Sequence, residues 1–139
     1  MKSQARVVVI GGGVVGASVL YHLTKMGWSD VLLIERSELT SGSTWHAAGG
    51  FHTLNADTNM AALQGYTIRL YKELEEISGQ PCGLHHVGGV TLANTPERVD
   101  QLKAERAKHR YMGLETELIG PEQIRELSPI VNTEGIIAA

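Results

Sequence analysis

Three glycines, an acid and a histidine carry the chemistry legible in this chain. Gly11, Gly13 and Gly16 follow the run Val7-Val8-Val9-Ile10 in the spacing G-x-G-x-x-G. Such a turn suits a pyrophosphate. Gly11 permits the tight exit from a strand, Gly13 lets backbone approach the phosphates, and Gly16 lets the next helix pack closely on the sheet. That helix opens with Val14 and Val15, and its first N–H groups, unpaired within the helix, face the phosphates. Glu35 lies 19 positions beyond Gly16, where a carboxylate accepts hydrogen bonds from ribose hydroxyls and disfavours a 2′-phosphate. These residues predict a dinucleotide site and leave NAD and FAD both open.

The stretch Ser41 to Gly50, SGSTWHAAGG, separates the two. A simple NAD-binding domain would soon begin another helix and a third parallel strand after the acid. Here the chain enters a loop instead. Ser41, Ser43 and Thr44 offer hydroxyls, and Gly42, Gly49 and Gly50 let backbone come close to something flat or charged. That composition suits the pyrophosphate, ribityl chain and ring of a flavin, with Trp45 packed nearby and His46 presented to the ligand.

The elements that must position these residues follow from periodicity. Ala5 to Ile10 is β-branched and nearly continuous, which predicts a buried parallel strand. Val14 to Met26 has helical spacing, with Val15, Val19, Leu20 and Leu23 on one side and Gly27 as the stop. Asp30 to Ile34 predicts a second strand ending at Glu35, completing a βαβ unit. A longer helix is expected from Asp57 to Ser78, closed by Gly79 and Pro81, its face of Met60, Leu63, Ile68, Leu70, Leu74 and Ile77 serving as core. Val87 to Ala93 predicts a strand. Thr95 then caps a helix with Pro96 at its first position, ending before Gly113. Glu115 to Ile119 predicts another strand, and Gly120-Pro121-Glu122 starts a short helix to about Leu127.

Composition narrows the function classes. The 139 residues are 42% hydrophobic, enough for one soluble domain that buries about two-thirds of its unfolded surface. Twelve basic residues stand against 15 acidic ones, a formal charge of -3, so neither nucleic acid nor an anionic membrane is an expected partner. The apolar run Val7 to Leu20 follows Lys2 and Arg6 as a signal peptide's core would, but four glycines interrupt it and it is too short to span a bilayer. The single cysteine, Cys82, excludes an internal disulfide and fits a reducing compartment, with the cytoplasm as the expected location.

Other conspicuous side chains carry less. His52, His85 and His86 lack metal-ligand spacing with an acid or cysteine, so no metal site is expected. Cys82 has no local base and is not read as a nucleophile. Arg106, Lys108, His109 and Arg110 fall in the last turns of a predicted helix, where dipole complementarity and solvation account for them.

The G-x-G-x-x-G unit, Glu35-Arg36 and the run Leu39 to Gly49, LTSGSTWHAAG, resemble the N-terminus of the dimethylglycine and sarcosine dehydrogenases, FAD enzymes of the D-amino-acid-oxidase-like group. The likeness continues through Tyr71-Lys72-Glu73-Leu74-Glu75, Val87 to Ala93 and Pro121-Glu122, with T-W-H-A-A-G its most specific portion. The resemblance implies FAD held covalently through the 8α position of its ring by the residue matching that family's histidine, His46. The implied cofactor contacts are Gly11, Gly13, Val14, Val15, Gly16, Glu35, Arg36, Ser41, Gly42, Ser43, Thr44, His46, Ala48 and Gly49. No catalytic residue is identifiable.

The fold class expected is α/β: a Rossmann-like FAD-binding βαβ unit and flavin loop in 1–50, a helical segment in 51–79, and in 80–139 the start of an incomplete α+β substrate lobe, a mainly antiparallel sheet by resemblance. Gly88-Gly89 would allow close approach of a ligand there, or mark a bulge. The implied reaction oxidises an N-methylated amino acid, sarcosine or dimethylglycine, by hydride transfer from the N-methyl carbon to FAD. The iminium product yields formaldehyde or passes its one-carbon unit to a folate; the electron acceptor is left unassigned. Two rivals stand beside it: a related amino-acid oxidase with noncovalent FAD, and a noncatalytic nucleotide-binding module. The apolar end Gly135 to Ala139 reads as an element cut off before its partner, so residues 1–139 alone are expected to be inactive and to associate through exposed surface.

Overall fold

In a computed structural model, which describes residues 3–139, the chain forms two compact units, Met1–Gly50 and Phe51–Ala139. The first unit contains strand β1 (Val7–Ile10), helix α1 (Val14–Lys25) and strand β2 (Val31–Ile34). β1 and β2 are parallel, with Val7 opposite Val31 and Ile10 opposite Ile34. Parallel strands need a crossover, and α1 supplies it. The helix stops as its sequence dictates: Gly27 takes φ 88, and the N–H groups of Met26, Gly27 and Trp28 bond back to His22, Thr24 and Leu23. At the start of β1, the Arg6 N–H donates to Asp30 and its guanidinium stacks 4.2 Å over the Trp28 ring.

The expected burial of the first strand is not found. Val8 and Ile10 are exposed, at 45% and 86% of their surface, while Val7 and Val9 are half-buried. The cause is the pleat. Alternate residues point to opposite faces, and α1 covers only the face of Val9, which lies near Gly16. No residue of α1 is fully buried, and Val15 is 74% exposed.

The second unit contains α2 (Thr58–Ser78), α3 (Pro96–Tyr111) and α4 (Pro121–Leu127). Their ends obey local rules. The Asp57 carboxylate accepts from Met60 N–H at 2.8 Å, and the Thr95 hydroxyl accepts from Arg98 N–H at 3.2 Å ahead of Pro96. Gly79 closes α2 in the left-handed region, φ 66. Among the described residues the buried apolar ones are Ala61, Leu70, Ala93, Leu102, Ile124 and Ala138. The core face of α2 is therefore offset from the expected stripe: Leu70 is buried, whereas Met60, Leu63 and Ile77 are exposed.

The two strands expected in this unit are not formed. Gly88 adopts φ 73 and the Val87 N–H folds back to the His85 carbonyl, so extended backbone breaks inside the first run. Only its last residue pairs, Ala93 with Ala138 in an antiparallel bridge. From the second run, Ile119 exchanges both backbone hydrogen bonds with Ala139. The final residues thus have partners on two sides, contrary to the expectation that the run Gly135 to Ala139 lacks one. Successive residues of an extended segment point their backbone groups to opposite sides, which lets Ala138 serve Ala93 while Ala139 serves Ile119.

Candidate functional site

The glycine turn is the tightest place in the first unit, and Gly12 is its one buried residue among those described. Gly11 leaves β1 at φ 107, a conformation open to glycine, and its N–H donates to the Ile34 carbonyl at 2.8 Å. A Cβ on Gly12 would come within 2.5 Å of Leu39 Cδ2, and one on Gly13 within 2.9 Å of Thr44 Oγ1. At Gly16 a Cβ would overlap the Gly11 carbonyl oxygen. Sequence reasoning gave Gly11, Gly13 and Gly16 separate roles. It missed Gly12 and Leu39, although an unbroken G-G-G was the available signal for a crowded middle position.

Glu35 lies directly beside this turn. Its Oε2 accepts from Gly12 N–H at 2.6 Å and its Oε1 accepts from Ser37 N–H at 3.0 Å. These two backbone donors, that of Gly12 foremost, hold its carboxyl below the ordinary carboxylate value. Each oxygen keeps further lone-pair capacity, so the carboxylate can brace the turn and still accept from a diol. Arg36 is exposed beside it.

The loop after Leu39 folds back on the turn. Thr40 N–H donates to the Gly12 carbonyl at 3.1 Å, and the Thr44 hydroxyl accepts from Val14 N–H at 2.9 Å. Within the loop, Ser41 Oγ donates to the Glu38 carbonyl at 2.8 Å and Trp45 N–H to that of Thr40 at 3.0 Å. His46 Nδ1 lies 2.8 Å from the Gly42 carbonyl oxygen. A carbonyl only accepts, so Nδ1 carries the proton, and in the neutral ring Nε2 keeps its lone pair. The structure therefore brings Gly11, Gly13, Val14, Gly16, Glu35 and Thr44 together and sets His46 on the same loop. Val15, Ser43, Ala48 and Gly49 are exposed nearby, and no hydrogen bond among the described residues ties the last two to the turn.

These residues fit a dinucleotide. Side chains at the glycines would fill the cradle, an acid braces it, and the helix start beyond Val14 has N–H groups with no acceptor one turn back. The second unit holds its own groove of about 680 Å³, along which His52, His85, His86 and His109 gather with Arg106. Arg106 Nε donates to the Thr116 carbonyl at 3.0 Å. No group of three or more His, Cys, Asp or Glu suited to a metal ion occurs among the described residues, and no described helix is long and apolar enough to cross a membrane.

Known proteins resemble this chain along nearly its whole length. Dimethylglycine dehydrogenase, mitochondrial, of Rattus norvegicus is 46% identical over 137 residues, which cover 99% of this chain and 16% of that protein. Sarcosine dehydrogenase, mitochondrial, of Homo sapiens is 37% identical, covering 98% of this chain and 15% of that one. The chain thus spans about a sixth of the length of these relatives. Among solved structures, L-proline dehydrogenase from P. horikoshii superposes with a TM-score of 0.78 at 26% identity, over 99% of this chain and 36% of its own. The model of the FAD dependent oxidoreductases (DAO) matches residues 6–139. The chain belongs to the FAD dependent oxidoreductase family.

Proposed function

We propose that this chain supplies the FAD-holding turn and loop of an enzyme that oxidises an N-methylated amino acid, sarcosine or dimethylglycine. The names of the rat and human relatives support the substrate class. FAD supplies the hydride acceptor for the N-methyl carbon, and the chain's residues bind and orient it. The Gly11–Gly16 turn and α1 start take the pyrophosphate, Glu35 the ribose, and Ser41 to Ser43 with Arg36, Ala48 and Gly49 line the remainder. The iminium product hydrolyses to formaldehyde or hands its one-carbon unit to a folate. Residues 80–139 contribute to the substrate side.

The observation that carries the cofactor reading is the His46 Nδ1–Gly42 contact, which leaves Nε2 as the nucleophile. We read His46 as the covalent attachment point. Attachment would form the Nε2–C bond in place of one C–H bond of the 8α methyl, and the alkylated ring would give up its Nδ1 proton to stay neutral. The two protons and two electrons so released would be taken up by the flavin, so that attachment would need no external oxidant. Acid precipitation of protein loaded with FAD should leave the flavin on the wild-type polypeptide and release it from His46→Ala. Release from wild type as well would favour a related oxidase with noncovalent FAD. A preparation that ignores FAD and binds NADH tightly would refute the cofactor assignment itself. The lone Cys82 supports a reducing, cytoplasmic location; cell fractionation that finds the protein in mitochondria, as the names of the mammalian relatives have it, would correct this.

A further inference from the structure

Helix α1 begins without a cap of its own, because its N-cap residue is Gly13 and has no side chain. The missing acceptor comes from 30 positions away, where the Thr44 hydroxyl takes the Val14 N–H at 2.9 Å. A second tie lies beside it. Thr40 N–H donates to Gly12 O while Thr40 O accepts from Trp45 N–H, so the loop is bound to the turn immediately before His46. Thr40 makes both bonds at φ 67, and it is the one non-glycine residue with positive φ among those described. A β-branched residue avoids that region unless its surroundings impose it. The loop is therefore held against the turn at an unfavourable backbone conformation, and Thr44 provides its side-chain anchor.

We infer that Thr44 is a positioning residue for His46: its hydroxyl fixes the loop to the start of α1, so that Nε2 is presented at one place relative to the bound pyrophosphate. This rests on the reading of His46 as the attachment point. Thr44→Val keeps the shape and methyl group of threonine but removes the acceptor, whereas Thr44→Ser keeps the acceptor. Nothing in this role needs the hydroxyl to touch FAD. A loosened loop should slow bond formation in the bound complex more than it weakens binding, since reactions of held groups are steep in placement.

The test uses the full chain with FAD at saturation. Flavin fluorescence gives the fraction bound, and denaturing electrophoresis at timed intervals gives the rate of covalent attachment per bound complex. Thr44→Val should attach about tenfold more slowly while still binding FAD, and Thr44→Ser should restore the wild-type rate. Faster amide exchange at Val14 in Thr44→Val than in Thr44→Ser should accompany the loss. Attachment by Thr44→Val at the wild-type rate would overturn the role while leaving His46 as the attachment point. Slow attachment that Thr44→Ser fails to restore would also overturn it, because the hydroxyl is then not the operative group. So would loss of FAD binding in Thr44→Val, which would make Thr44 a cofactor contact. Wild-type protein that binds FAD and never retains it through denaturation would remove the attachment point and this role together.

Discussion

Gly16→Ala should destabilise the first unit and weaken FAD binding, and the structure sets the size of the effect. A Cβ on Gly16 overlaps the Gly11 carbonyl oxygen, lies 3.0 Å from the carbon that bears it, and meets Val9 Cγ1 at 3.6 Å. The obstacle is backbone and cannot rotate away. Gly11 is itself fixed by its bond to Ile34 and by φ 107, so α1 must lift from the turn. Overpacking costs about 1–3 kcal/mol, and a backbone obstacle puts this case near about 3. Alanine recovers about 1 kcal/mol relative to glycine within a helix. The net loss is about 2 kcal/mol, or about 6–8 °C in Tm for a chain of this size. Gly65→Ala in α2 is the control, because its Cβ would meet Arg69 Nη1 at 3.5 Å and Thr53 Cγ2 at 3.6 Å, ordinary contact distances. That variant should gain up to about 1 kcal/mol. Thermal unfolding followed by circular dichroism, with an FAD titration of each variant, reads both effects. If Gly16→Ala matched wild type in both measurements, or Gly65→Ala fell as far as Gly16→Ala, the steric reasoning would fail.

Three further outcomes follow from single contacts. Glu35 has a lowered pKa in the folded chain, so its brace on Gly12 is fully present above the ordinary value of 4.5 and is lost as pH falls through the folded value below it; unfolding midpoints should decline there in wild type and less in Glu35→Gln. Asp57→Ala removes the acceptor for Met60 N–H and should cost about 1 kcal/mol by denaturant titration. Thr40→Gly relieves a left-handed β-branched residue and should raise stability by about 1 kcal/mol, the strain relieved exceeding the entropy that glycine adds to the unfolded chain; a fall in stability would show that the Thr40 side chain contributes more than its backbone strain costs.

Features governed by short-range rules were legible in the sequence. Gly27 and Gly79 end α1 and α2 in the left-handed region, and Asp57 and Thr95 cap the helices that they precede. The βαβ order and the place of Glu35 beside the turn follow from the same local signals. Properties that depend on a distant partner were not legible. Val8 and Ile10 have the residue types of buried strand, yet only the opposite face of the sheet is covered by α1. The runs ending at Ala93 and Ile119 alternate well enough to read as strands, but a strand exists by its ladder, and each pairs through that one residue. Thr40 gave no signal at all, since its residue type argues against the conformation that it adopts.

The distribution of burial says what holds the candidate site in shape. Among the described residues none of the buried apolar ones lies in the first unit, and α1 rests on β1 and β2 without one buried side chain. The geometry of the glycine turn therefore depends on its polar ties: Gly12 to Glu35, Gly12 to Thr40, Gly11 to Ile34 and Val14 to Thr44. Such bonds fix direction as well as distance, which apolar contact does not. A pyrophosphate cradle needs direction, because its donors must converge on one group. It follows that trimming Val15, exposed at 74%, should disturb the site less than removing the Thr44 hydroxyl. A parallel comparison of the attachment rate per bound complex in Val15→Ala and Thr44→Val separates the two contributions. Equal losses in both would mean that packing, and not the polar ties, sets the cradle.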